Sequence, residues 1–218
     1  MSNTSAIPSA LGALVATAGA ALILRAIKRS YQPVVQAKLK CRCGKIRGVI
    51  SAKADDSVRL HCYCKDCRAY ANCIAGLGDG KSESMVYPCG ESHLVQVCKS
   101  AVAIHQGKEH LKLARKSPNQ GMFRYYASCC NTPIMNTVDF FGFVGVFEDN
   151  LDVEREKFAG PWCFCTHEAS KTPLENVVPT LPVRYFLWNV LRYAPWAKSG
   201  PFDYSLKPVF WGEDRKVA

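Results

Sequence analysis

Residues 39–51 read Leu39-Lys40-Cys41-Arg42-Cys43-Gly44-Lys45-Ile46-Arg47-Gly48-Val49-Ile50-Ser51. Apolar and polar positions alternate as in a half-buried strand, with Gly44 and Gly48 at points where the backbone turns or bulges. Similar signals recur downstream. Residues 85–90, 93–98 and 101–106 are further short strand candidates, and residues 123–130 lead into another. Residues 140–147 are apolar throughout, as in a strand buried on both faces. No window between 39 and 147 carries a long helical period. The expected fold class is therefore mainly β.

The same opening stretch carries the chemistry. Cys41 and Cys43 stand two apart, and side chains two apart in a strand share a face, so both sulfurs can reach one metal ion. The chain has 12 cysteines. An even count admits a secreted disulfide scaffold, but cysteines two apart rarely bond each other without strain. Tight clusters favour metal thiolates in a reducing compartment instead. The pair needs two more ligands for a closed tetrahedral site, and Cys129 and Cys130 supply them. Such a clip ties the start of the domain to its far side, and its binding energy becomes folding energy.

A second cluster, Cys62-Tyr63-Cys64-Lys65-Asp66-Cys67, supplies three thiolates within six residues. Three protein ligands and one open position is the format of catalytic zinc. An ion held this way takes an external thiol and keeps it deprotonated. Lys65 and Arg68 add positive charge, which favours thiolates. The competing reading is a second closed zinc site, completed by His61, Cys73 or Cys165. Cys163, Cys165 and His167 form a looser group, read either as a cap over a site or as surface thiols. Cys73, Cys89 and Cys98 read as small buried hydrophobes.

Three motifs together resemble the glutathione-dependent formaldehyde-activating enzyme family, which also includes centromere protein V. They are residues 41–47, CRCGKIR; residues 61–68, HCYCKDCR; and residues 129–133, CCNTP. The resemblance spans roughly residues 38–147, half of the chain. It implies a β-tent of small antiparallel sheets and a structural zinc on Cys41, Cys43 and the later cysteine pair. It also implies a second zinc on Cys62, Cys64 and Cys67, bound together with glutathione, and carbon–sulfur lyase chemistry that yields S-hydroxymethylglutathione. The last motif departs from the family pattern Cys-x-x-Cys-Gly-Thr/Ser. Ala127 stands at the first cysteine and Asn131 at the glycine, so Cys129 takes over as ligand. Neighbouring residues in a strand point apart, so Cys129 and Cys130 meet one ion only across a turn or bulge. Arg47, Arg68 and Arg124 are candidate clamps for the carboxylates of a glutathione-like ligand, or plain surface cations.

The flanks read differently from the middle. Residues 7–24, IPSALGALVATAGAALIL, are uncharged, and Arg25, Lys28 and Arg29 follow. Their length reaches the short end of a membrane-spanning helix, and the positive flank would keep the domain in the cytosol. A cleaved organellar leader and an Ala-rich helix packed on the domain are the alternatives. Residues 182–196 are expected to form a short helix, and residues 199–218 an extended tail. The expected organisation is thus an apolar leader and linker at 1–37, a zinc domain at 38–147, and an extension at 148–218 packing on it.

The net charge of +10 is concentrated at the start. Residues 1–54 hold nine Lys/Arg and no acid, leaving 19 of the 28 basic residues against all 18 acidic ones from residue 55 onward. A near-neutral domain argues against a nucleic-acid partner. Two function classes remain: a carbon–sulfur lyase that handles a thiol and a small aldehyde at Cys62, Cys64 and Cys67, and a non-catalytic zinc module that binds a partner, nucleic acid or a membrane surface, with the charge weighing against nucleic acid.

Overall fold

A computed structural model describes residues 12, 19, 20, 23, 24, 27, 31–77, 83–139, 141–154, 157–158, 162–164, 177–178 and 200–211. The chain divides into two compact units, Met1–Pro33 and Val34–Ala218. In the first unit the described positions of the expected apolar segment, Gly12, Gly19, Ala20, Ile23 and Leu24, are helical; the rest of that segment lies outside the described residues. Among the described residues no helix is long and apolar enough to cross a membrane. The expected helix at 182–196 also lies outside the described residues.

The second unit is mainly β. β1 (Val34–Lys40), β2 (Arg47–Lys53), β5 (Val102–Gln106) and β10 (Leu151–Asp152) form an antiparallel sheet in the order β10-β1-β2-β5. The larger sheet is built around β3 (Val58–Cys62), β4 (Ser92–Cys98), β9 (Phe143–Phe147), β8 (Thr132–Thr137), β7 (Phe123–Ala127) and β6 (Leu111–Arg115), antiparallel in that order. β11 (Trp162–Phe164) extends it in parallel beside β3, with β12 (Val177–Val178) beyond, and β13 (Val209–Phe210) runs parallel to β6 at the other edge.

Alternation along these strands builds two cores. Ala37 and Leu39 of β1, Ile50 of β2, Val95 and Val97 of β4, Leu113 of β6 and Val144 and Val146 of β9 form one cluster that joins the two sheets. Leu60, Leu94, Ala114, Tyr126 and Phe147 point to the opposite face of the larger sheet, where α1 (Lys65–Ala75) covers them with Tyr70 and Ile74. Each such aliphatic side chain contributes about 1.5–3 kcal/mol on full burial.

Helix α1 is a correction to the all-strand expectation for 39–147. Its inward face, Cys67, Tyr70, Ala71, Ile74 and Ala75, has helical spacing, but two alanines and a cysteine dilute the apolar signal. Its start is set by a cap: Cys64 Sγ accepts a hydrogen bond from Cys67 N at 3.3 Å. Gly76 closes its end. Residues 85–90 also differ, forming a turn rather than a strand. Gly90 N donates to Tyr87 O at 2.8 Å across Pro88, whose ring suits a turn and removes a ladder donor.

Gly48 sits where β2 shifts register against β5. A Cβ there would lie 2.3 Å from the Ala103 carbonyl oxygen, so only glycine lets the two backbones approach this closely.

Candidate metal centre

The turn between β1 and β2 makes the first sulfur group. Cys41 and Cys43 are not strand residues: the backbone turns directly after β1, with Gly44 N donating to Cys41 O at 2.9 Å and Gly44 at φ +75°. Ile46 N donates to Cys41 Sγ at 3.3 Å. The far pair lies in the turn joining β7 to β8, residues 128–131, where Asn131 takes a left-handed φ of 49°. That turn, in place of a straight strand, lets two adjacent cysteines face one point. The Asn131 amide also donates to the Leu77 carbonyl.

The four sulfurs converge. Cys41 Sγ lies 3.6 Å from Cys43 Sγ and 3.9 Å from Cys129 Sγ. Cys43 and Cys129 are 3.3 Å apart, and Cys129 and Cys130 are 3.9 Å apart. Cys41, Cys43, Cys129 and Cys130 can hold one metal ion. Thr132 Oγ1 stands 3.0 Å from Cys130 Sγ and accepts from Arg42 N at 3.4 Å, linking the two turns. Burial, then the Cys43 sulfur, pushes the Cys129 thiol up. Burial also raises Cys41. For Cys43 burial is outweighed by hydrogen bonds from the Lys45 backbone and the other three sulfurs, which bring it down to about 7. The group thus already favours a thiolate at its exposed corner.

The second group sits where β3 meets α1. Cys62 ends the strand, Cys64 caps the helix and Cys67 lies in its first turn. Cys62 Sγ is 3.2 Å from Cys64 Sγ and 3.4 Å from Cys67 Sγ. These three can hold a metal ion, and neither His61 nor Cys73 belongs to the group. His61 lies on the other face of β3, with His93 and Glu148, as strand alternation requires. Cys73 is half-buried on α1. For Cys163 only the backbone is described, and Cys165 and His167 lie outside the described residues. Cys89 and Cys98 are half-buried, not the fully buried hydrophobes expected.

A buried arginine contacts this group. Arg124, on β7, is 2% exposed and donates from Nη1 to Cys67 Sγ at 3.4 Å. Its guanidinium lies over the rings of Tyr70, at 5.2 Å, and Trp211, at 5.4 Å. Tyr70 is anchored through its hydroxyl to the Tyr125 carbonyl at 2.8 Å. Burial works against the charge on Arg124, but the Cys67 sulfur outweighs it and keeps the guanidinium ionised. Arg124 therefore does not serve as a surface clamp for a ligand carboxylate. Arg47 is spent locally, donating to the Gly44 carbonyl at 3.0 Å.

Charge within the group is unevenly held. Hydrogen bonds from Cys62 and Cys64, then Arg124, hold the Cys67 thiol well below its ordinary value in spite of burial. Hydrogen bonds with Cys64 and Cys67, then burial, push Cys62 well above its own. Cys64 is lowered by its bond to Cys62, but the bond to Cys67 and burial leave it up at about 12. Cys67 is the sulfur that carries charge first, at a helix N-terminus and beside a buried guanidinium. The role of Arg124 was missed in the sequence because an arginine in an alternating strand reads as solvent-facing. The clue was its register: it shares a strand face with buried Tyr126. Trp211 had no local signal at all.

No curated protein matches this chain. A crystal structure of a Rhodobacter sphaeroides protein, a structural-genomics target, is similar at 16% identity over 57% of this chain and 98% of that one, with a TM-score of 0.38. A family model matches residues 33–178, from the start of β1 through β12 and including both sulfur groups. The chain belongs to that family, a family of unknown function (DUF6151).

Proposed function

We propose that this is a zinc protein in which Cys41, Cys43, Cys129 and Cys130 hold a structural ion, while Cys62, Cys64 and Cys67 hold a second ion that handles a glutathione-type thiol. The reading rests on the unequal size of the two groups among the described residues: four sulfurs in one, three in the other. Zinc bound to sulfur at about 2.3 Å in a tetrahedron needs sulfurs about 3.8 Å apart. Separations of 3.3–3.9 Å in the first group and 3.2–3.4 Å in the second are within a small relaxation of that. All-thiolate donor sets suit zinc among the common divalent ions.

At the second group the ion would supply Lewis acidity, which keeps an incoming thiol deprotonated at neutral pH. The chain's own residues supply the rest. Cys64 and Cys67 are fixed relative to each other by the cap of α1. Arg124 offsets the negative charge that three thiolates and a fourth sulfur bring together. The proposed reaction joins a thiol to a small aldehyde: the sulfur lone pair forms a C–S bond to the carbonyl carbon, the C=O π pair moves to oxygen, and that oxygen takes the proton released by the thiol. The product is a hydroxymethyl thioether, and the reverse reaction is the lyase. The two packed sheets, clipped at the four-sulfur site, correspond on this reading to the β-tent.

The test is the rate at which glutathione and formaldehyde combine, followed by NMR exchange at low reactant concentration, with the reduced, zinc-loaded full chain. Acceleration over buffer that disappears in Cys64→Ser is the expected result. Equal rates for the chain and the variant would exclude the lyase and leave a zinc module without chemistry.

A further inference from the structure

A third group of metal-ligand side chains lies on the larger sheet, apart from both sulfur groups. His61 and His93 are direct cross-strand partners on β3 and β4. Glu148 follows Phe147, which pairs with Leu94, so its side chain stands next in the same row on the neighbouring strand's end. Three adjacent strands thus place two imidazoles and a carboxylate side by side on one face. One ligand atom from each lies within 4.8 Å of the other two. His93 is 8% exposed and Glu148 3%.

We propose that His61, His93 and Glu148 form a third cation site, of the two-histidine, one-carboxylate type, for a first-row divalent ion. The surroundings of His93 are those of a metal ligand. Its ring is sandwiched between His61, at 3.9 Å between centroids, and Tyr87, at 3.7 Å. Nε2 faces Glu91 Oε1 at 3.6 Å, and Nδ1 faces Glu148 Oε2 at 3.8 Å. A carboxylate beside one ring nitrogen favours the tautomer whose other nitrogen holds a lone pair, the outer arrangement common around metal-bound histidines. Glu148 is oriented too: Arg59 Nε binds its Oε1 at 3.0 Å, which leaves Oε2 on the histidine side.

The spacing separates this from a simple ion pair. A charged N–H to carboxylate hydrogen bond closes to about 2.7–2.9 Å. Two ligands bound at about 2.1 Å around one tetrahedral ion stand about 3.4 Å apart. The 3.8 Å between Nδ1 and Oε2 is closer to the second. The rings of His61 and His93 are nearly parallel, at 11°, so capture of an ion tilts one toward it. His61 is the less buried of the two, and His93 is the ring that stacks on both neighbours. Nitrogen and oxygen donors make this site harder than the thiolate groups and open it to Zn²⁺, Co²⁺ or Fe²⁺. Cys62 follows His61 and faces the other way, so an ion here braces the strand that delivers one of the three sulfurs.

The experiment compares metal bound by the reduced full chain with that bound by His93→Asn and Glu148→Gln, after saturation with Zn²⁺ and removal of excess. Each variant is expected to lose one equivalent relative to the parent, whatever the parent's total. The intense sulfur-to-metal absorption of the Co²⁺ forms is expected to stay unchanged. Equal metal content in parent and variants overturns the proposal. Should either variant misfold, Co²⁺ titration of the unaltered chain decides instead: uptake of a further equivalent after the sulfur-to-metal band has stopped rising supports the site, and uptake that stops with the band overturns it. Neither result depends on whether the three-sulfur group handles a thiol.

Discussion

Replacing Cys41 by Ser is expected to leave a chain that no longer unfolds as a cooperative unit at room temperature. Cys41 is 1% exposed, and its sulfur faces Cys43 and Cys129 while accepting from the Ile46 backbone. The four-sulfur group joins the β1–β2 turn to the β7–β8 turn, and so holds the smaller sheet to the larger one. A structural zinc site is worth about 10–16 kcal/mol in small zinc domains. That matches or exceeds the whole net stability of an ordinary domain, about 5–15 kcal/mol. On the proposed zinc reading, serine removes a ligand and puts a hydroxyl where the ion takes a thiolate, so most of that contribution is lost. Thermal unfolding followed by circular dichroism, with bound metal measured on the same sample, checks this. A cooperative transition within a few degrees of the parent would mean that the sheets hold together without the clip.

Arg124→Met should be the next most damaging change, and its effect should centre on the other sulfur group. Methionine keeps most of the volume and removes the charge that faces Cys67. Breaking a buried charge pair by deleting one partner costs about 3–5 kcal/mol, because the other charge is left uncompensated. Loss of an outer partner weakens metal binding about 10–100-fold. The expected outcome is a folded chain with lowered stability that keeps the four-sulfur ion and loses affinity at Cys62, Cys64 and Cys67. Arg124→Lys should fall between, since it restores the charge but not the planar stack over Tyr70 and Trp211. Zinc competition titration against a coloured chelator measures each case.

Several strands were legible because short apolar or alternating runs are a local signal: residues 93–98, 101–106 and 140–147 read as strands, and β4, β5 and β9 run there, whereas the order of strands in each sheet had no local signal. Both sulfur groups were legible for the same reason, since spacing within a motif is local. The pairing of Cys41 and Cys43 with partners some ninety residues away depended on completing a ligand set, and the structure brings those four together. Helix α1 was hidden because a cysteine cap and a short, diluted apolar face replace the usual signals. Arg124 and Trp211 were hidden for another reason. Their contact comes from three distant segments, β7, α1 and the residue directly after β13, and no periodicity in one of them encodes it. The His61–His93–Glu148 row was invisible likewise, because strand register, not sequence spacing, puts it together.

On the proposed function, the three-sulfur group holds an ion with a position left for an outside thiol. Glutathione bound per chain, measured by equilibrium dialysis on the reduced full chain with and without zinc, tests it most directly. About one glutathione per zinc-loaded chain, little for the metal-free chain and little for zinc-loaded Cys64→Ser is the expected result. Glutathione binding that is absent with zinc present, or that survives unchanged in Cys64→Ser, would contradict it.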